Sequence, residues 1–424
     1  MRRFLLLISV VSLGLLVGCG SGSGGSTPKG VPTGGTGNTQ PIAVDGGPVA
    51  NTIYPNGAFI DVTICNPGTT TCQTINGILV DTGSFGLRIL SSAITLTGLK
   101  TLTSGNSTLY NCINFADGSY LWGAAEVADV QMASELASSA TIQVIADPAA
   151  NTFTIPTNCS NGGIDEDNQV ALGTNGILGV GPEPVDCGLA CDPNGGNQFP
   201  PEPFYYLCAS GTTCTPSFVS CGAICGDTSA NQQVVNPVAL FATDNNGVII
   251  KLPTLSGGAA SESGSLIFGI GTQTNNQVGS ATIFTLDSQD TFSVTYKGVT
   301  YNSSNNTPSF IDSGSNAFFF PDTTIPTCTD VTSFYCPTSL LSLSATNLGT
   351  NNATGTVNFS IDNADNLFAE GGGADAAFST LGGPNAGGGF DYGLPFFYGK
   401  SVFTSIDGAT NLPSGTPAAP WWAY

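Results

Sequence analysis

Ile78-Leu79-Val80-Asp81-Thr82-Gly83-Ser84-Phe85-Gly86-Leu87 and Ser309-Phe310-Ile311-Asp312-Ser313-Gly314-Ser315-Asn316-Ala317-Phe318 are one pattern written twice. In each copy an apolar run ends in Asp, then a hydroxyl residue, Gly and Ser, and apolar residues resume. The apolar run reads as a buried strand. The Gly permits the sharp turn that holds the Asp at the strand's end. One such tetrapeptide, in a chain rich in Gly, Ser and Thr, reads as a capped turn. Two copies in matching contexts point further. If the turns face each other, two carboxylates meet, and a close pair shares one proton rather than ionising twice. One member then serves as general base on a water and the other as general acid.

Composition narrows the chemistry to those carboxylates. The 424 residues contain no His, which removes Ser-His-Asp and Cys-His catalysis and most zinc sites. Charged residues make up 9% and the net charge is −21, so nucleic acid is not an expected partner. No metal or cofactor is expected. The length allows two lobes with real cores.

Arg2 and Arg3 precede an apolar stretch, Phe4 to Val17, too short to span a bilayer comfortably. It ends Leu16-Val17-Gly18-Cys19, which resembles a bacterial lipoprotein cleavage site, with Cys19 as the lipidated first residue. The competing reading is an ordinary secretory signal with a stray Cys. Gly20 follows, with no Asp retention signal, so the expected address is the periplasmic face of the outer membrane or the cell surface. Of thirteen cysteines, setting aside Cys19 leaves twelve, an even number that reads as disulfides in an exported chain. Close spacing pairs Cys65 with Cys72, Cys208 with Cys214 and Cys328 with Cys336, leaving Cys112 for Cys159. The pairing within Cys187, Cys191, Cys221 and Cys225 stays open.

Four regions follow: a signal peptide over 1–19, a flexible Gly/Ser/Thr/Pro tether over 20–49, one β lobe over 50–257, and a second over 258–424. The first lobe contains a Cys- and Pro-rich insertion, 182–236, expected to be a surface loop held by its bridges. Ala58–Ile64 reads as a strand, and Asn76-Gly77 as a tight turn leading into the first Asp motif. Short β-branched runs recur almost to the end, so the body is mainly β.

The paired motifs resemble the active sites of the pepsin-like aspartic proteases. Further segments repeat that resemblance in order. Phe115-Ala116-Asp117-Gly118-Ser119 with Trp122-Gly123 is similar to the flap hairpin, and Asn175–Gly181 to the segment completing the first active-site loop. Ser263–Gly269 is similar to the strand opening the second lobe, and Tyr392–Phe397 to its closing segment. The resemblance implies a bilobal fold with the cleft between lobes, and catalysis by Asp81 and Asp312. It implies support from Thr82, Gly83 and Ser84 in one loop and Ser313, Gly314 and Ser315 in the other. Phe115, Asp117, Gly118 and Ser119 would form the flap over a peptide or protein substrate bound by a monomer. The pattern also resembles an uncharacterised family of bacterial exported lipoproteins carrying both motifs. Two departures stand out. Phe115 falls where the flap Tyr is usual, and Arg88 where a Trp often supports that Tyr. The expected function is an aspartic endopeptidase. The alternative is a non-catalytic lipoprotein of the same fold that binds peptide or polysaccharide. Asp117 reads either as a partner for a basic substrate side chain or as a solvated turn residue.

Overall fold

A computed structural model describes residues 34–149, 152–209, 213–329, 331–385 and 388–424. The signal peptide, Cys19 and the first part of the expected tether lie outside them. Among the described residues the body is mainly β, and its longest helix, Ala364–Ala369, has six residues. No helix among them is long and apolar enough to cross a membrane.

In the first lobe Phe59–Cys65 pairs antiparallel with Cys72–Asp81 and with Tyr120–Met132. Tyr120–Met132 also pairs with Ser107–Asn114 and Glu135–Ile145. Ile60, Val62, Ile64, Ile78, Val80 and Val130 are fully buried between these strands. In the second lobe Ser293–Tyr296, Val299–Tyr301, Leu341–Leu348 and Thr354–Ile361 form a four-stranded antiparallel sheet. Along Leu341–Leu348, Ser342, Ser344, Thr346 and Leu348 face solvent while Ala345 and Asn347 are buried, the alternation of a sheet wet on one side.

A third set of strands joins the lobes. Thr39–Val44 pairs with Glu262–Phe268, which pairs with Gly247–Lys251, which pairs with Ser401–Ser405. Trp421–Ala423 closes against Ser401–Ser405 and Ile283–Thr285, burying both tryptophans. Two expectations are corrected here. The tether ends before residue 39, because Ile42 and Val44 alternate inward and are fully buried. The break at 257/258 is not a separation of bodies, since Gly247–Lys251 is flanked on both sides by strands from beyond it.

Asn76-Gly77 is not a turn. It lies inside the unbroken strand Cys72–Asp81, near a register shift between Ile60 and Val62. The turn sits at Asn66–Thr71 and is clipped by Cys65–Cys72. The other expected bridges form as well: Cys112–Cys159, Cys208–Cys214 and Cys328–Cys336. The open group resolves into Cys187–Cys191 and Cys221–Cys225. The insertion is more than a stapled surface loop. Its Tyr205–Cys208 adds a strand to Ser107–Asn114, and Tyr205, Val219, Cys187 and Cys191 pack with Leu109 and Ala125 in a small core.

The register shift leaves Asp61 only 5% exposed, with no hydrogen-bond partner on either carboxylate oxygen. Burial pushes this carboxyl up to about 6. The folded form therefore holds the proton more tightly than the unfolded chain. That stability is complete below the ordinary carboxylate range and is lost as pH rises through about 6. Asp61→Asn should raise the melting midpoint near pH 7 and leave it nearly unchanged at about pH 3.5, where both forms of the group are protonated. Equal gains at both pH values would contradict the assignment.

Candidate active site

Each Asp turn sits on the same scaffold. Cys72–Asp81 runs into the first turn, the chain returns as Phe85–Leu90, and Gly176–Val180 lies between them. The inserted strand pairs parallel with the incoming strand and antiparallel with the returning one. In the second lobe Asp391–Tyr392 pairs parallel with Phe310–Ile311 and antiparallel with Phe318–Phe319. In both lobes the strand holds the Asp from behind and the Gly turn aims it outward.

The turns then lock each other. The Thr82 N–H donates to Ser313 Oγ at 3.1 Å, and the Ser313 N–H donates to Thr82 Oγ1 at 2.9 Å. Ser313 Oγ donates to Val80 O at 2.8 Å, and Thr82 Oγ1 to Ile311 O at 3.2 Å. Three buried polar groups of each lobe are thus paired across to the other. Each Asp also receives matching donors from its own turn. Gly83 N and Ser84 Oγ reach Asp81 at 2.9 and 2.5 Å, while Gly314 N and Ser315 Oγ reach Asp312 at 2.8 and 2.7 Å. The carboxyls of Asp81 and Asp312 are fully buried and hydrogen-bonded to each other. The Asp81 carboxylate packs so close to Gly314 that a Cβ there would lie 2.6 Å from Asp81 Oδ1. Only Gly fits.

Burial, then the charge of Asp312, raises the Asp81 carboxyl well above the usual carboxylate range. Burial also raises Asp312, but the hydrogen bonds from Asp81, Ser315 and Gly314 oppose the rise. Two buried carboxyls this close share one proton rather than ionise together.

A third buried carboxyl was not singled out by sequence. Asp391 Oδ2 lies 2.6 Å from Ser315 Oγ, whose other neighbour is Asp312 Oδ2. One hydroxyl proton serves one of these oxygens well. The other contact requires a proton on a carboxyl, and burial followed by the charge of Asp312 raises Asp391 well above its ordinary range. The chain of donors thus runs from a protonated Asp391 through Ser315 to Asp312. The only local clue is a lone carboxylate in the apolar run Phe390-Asp391-Tyr392.

Phe115, Asp117, Gly118 and Ser119 lie at the tip joining Ser107–Asn114 to Tyr120–Met132. The Phe115 N–H donates to Ser119 O, and Phe115 is buried with Ile113, Leu121, Leu172 and Ile177. Asp117 is exposed, and its Oδ1 accepts from both Ser119 N and Ser119 Oγ, as a turn residue does. A strap over residues 157–173 pins the flap from outside. Cys159 is bridged to Cys112, Tyr120 exchanges backbone hydrogen bonds with Ile164 and Glu166, and Tyr120 OH donates to Asp165.

Arg88 is not a gap in the support of the flap but an anchor for the insertion. Its guanidinium pairs with Asp186 at 3.1 Å, both side chains being almost fully buried. It also donates to Asn111, Gln143 and Phe85 O. Asp186 further accepts from Asn111 and from Tyr205 OH.

One carboxylate-bearing turn from each lobe meets the other, and the two are cross-linked through Thr82 and Ser313. Residues 34–424 match the family described as "Protein of unknown function (DUF3443)", and the chain belongs to that family. Among solved structures it is similar to an aspartic proteinase from Irpex lacteus, at 14% identity and a TM-score of 0.45, over 86% of this chain and 93% of that one. Among curated proteins no sequence matches.

Removing one partner of the buried ion pair strands the other. Arg88→Met should destabilise the fold by about 3–5 kcal/mol in urea unfolding. Adding Asp186→Asn removes the stranded charge while keeping an acceptor, and should recover at least half of that loss. A single variant as stable as the wild type would show that the pair does not anchor the insertion.

Proposed function

We propose that this protein is an aspartic endopeptidase that hydrolyses peptide bonds with a water held between Asp81 and Asp312. The observation that supports this best is the hydrogen-bonded carboxyl pair, buried and held by mirrored donors in two turns that cross-link each other. A cleft that merely bound peptides would have no use for two buried acids sharing one proton.

In this reading Asp312, the ionised member, takes a proton from the water as its oxygen bonds to the peptide carbonyl carbon. Asp81 gives its proton to the carbonyl oxygen, forming a neutral tetrahedral diol. The C–N bond then breaks as the leaving nitrogen takes the proton now on Asp312. A diol proton returns to Asp81, so the pair ends singly protonated, as it began. No covalent intermediate forms. Thr82 and Ser313 hold the two turns at a fixed distance, and Ser84 and Ser315 fix the carboxyl planes. Because both carboxyls are raised, the singly protonated state extends from acidic toward mildly acidic pH. Activity should be full there and fall as rising pH removes the proton from Asp81.

The full chain should therefore cleave acid-denatured haemoglobin at acid pH. Asp81→Asn and Asp312→Asn should each lower kcat by about 10²–10⁴-fold without altering the melting midpoint at acid pH. Cleavage surviving both substitutions would exclude the pair. The reading also places the protein in the periplasm or at the cell surface, held by lipid on Cys19. Cys19→Ala should move it from the membrane fraction to the soluble exported fraction. Retention in the membrane with an unchanged mass would refute the anchor.

A further inference from the structure

The flap offers no hydroxyl to the cleft. Phe115 has none, and Ser119 Oγ is committed to Asp117. A different phenol lies beneath it. Tyr54 belongs to the segment entering the first lobe and packs against the cluster that contains Phe115, Leu172 and Ile177. Its ring is half-buried and fixed. It stands edge-on to Phe59 at 5.8 Å, and its backbone N–H donates to Gly46 O at 2.8 Å. Both ring edges are tightly flanked, since a Cβ on Gly57 would come within 2.7 Å of Cδ1 and one on Gly173 within 2.7 Å of Cδ2. Gly173 ends the strap that pins the flap.

Two residues on, Asn56 secures this segment to the other lobe. Its Nδ2 donates to Asn316 O at 2.8 Å and Phe378 O at 2.9 Å, and its Oδ1 accepts from Phe378 N at 2.7 Å. Asn316 directly follows the second Asp motif. Tyr54 is thus referenced to both lobes at once, where a flap residue is referenced to one hairpin.

The Tyr54 hydroxyl is shielded from solvent, yet it has no hydrogen-bond partner. A buried phenol O–H without a partner costs about 1–3 kcal/mol, so its position calls for a reason. It lies within electrostatic reach of Glu166 in the strap, of Asp81 and Asp312, and of Asp117 at the flap tip. Burial, followed by these negative charges, raises it well above the usual phenol range, so it remains a donor wherever the carboxyl pair is singly protonated.

We propose that Tyr54 supplies, from the lobe-joining segment, the hydroxyl that the flap lacks, donating to the substrate backbone or the developing diol over Asp81 and Asp312. This rests on the peptidase reading and adds a substrate-contacting residue to it. It also exchanges a mobile donor for a fixed one. A donor held by Gly57, Gly173 and Phe59 is aimed before substrate arrives, which favours the transition state over the ground state.

The test uses the full-length protein, with cleavage of acid-denatured haemoglobin and calorimetric binding of the statine peptide pepstatin as separate readouts. Tyr54→Phe keeps the ring and removes only the hydroxyl. It should lower kcat about 100-fold with little change in KM, weaken pepstatin at least tenfold, and leave the melting midpoint at or above that of the wild type. Phe115→Tyr in the Tyr54→Phe background should restore part of kcat, which a purely structural role for Tyr54 would not permit. Unchanged kcat and unchanged pepstatin affinity in Tyr54→Phe overturn the proposal while leaving the carboxyl pair in place. Pepstatin binding that is absent from the wild type, or unaffected by Asp81→Asn, removes the peptidase reading and this proposal with it.

Discussion

Thr82 and Ser313 lie 231 residues apart, and each closes the other's turn. Neither lobe completes its own loop alone, because the Thr82 and Ser313 N–H groups and the Val80 and Ile311 carbonyls find partners across the interface. Unpaired buried backbone groups cost about 1–3 kcal/mol each, so the crossing couples the folding of one half to the docking of the other. It also fixes how close the two carboxyls come. The carboxyls meet because the backbones beneath them are tied.

That tie confines negative charge where nothing cationic answers it. Among the described residues Arg88 is committed to Asp186, Lys297 pairs with Asp322, Lys400 donates to Phe396 O, and Lys100 and Lys251 are exposed at the surface. Asp81, Asp312 and Asp391 are left to protons and neutral donors. Burial and mutual repulsion raise all three carboxyls, so they share protons rather than ionise together, and Gly83 N, Ser84 Oγ, Gly314 N and Ser315 Oγ support the charge that remains. The site tolerates burial because shared protons and neutral donors offset most of its charge.

The Asp turns were legible because their signal is local. An apolar run, a hydroxyl residue and a Gly at fixed offsets describe a strand end and its turn, and repetition supplied the second half. What long-range pairing decides was harder to read. Asn76-Gly77 has the composition of a turn, yet pairing with Phe59–Cys65 carries the strand through it. Gln40-Pro41-Ile42-Ala43-Val44 follows a Gly-rich stretch and shared its reading, although its partner lies in the second lobe. Arg88 looked like the loss of a supporting aromatic because Asp186, its partner, is 98 residues away in an insertion. Tyr54 and Asp391 carry no motif. Each acquires its meaning from a neighbour that only the tertiary structure provides.

The strand Thr39–Val44 has one more consequence. It is the first element of the described body, and it runs antiparallel to Glu262–Phe268 in unbroken register from Thr39 opposite Ile267 to Val44 opposite Glu262. Force applied at the N-terminus along the strand axis would load this whole ladder in shear, with its hydrogen bonds sharing the strain rather than breaking in turn. The start of the described body is thus a mechanical clamp, and tension applied there would reach the sheet that joins the lobes before it reached Asp81 and Asp312.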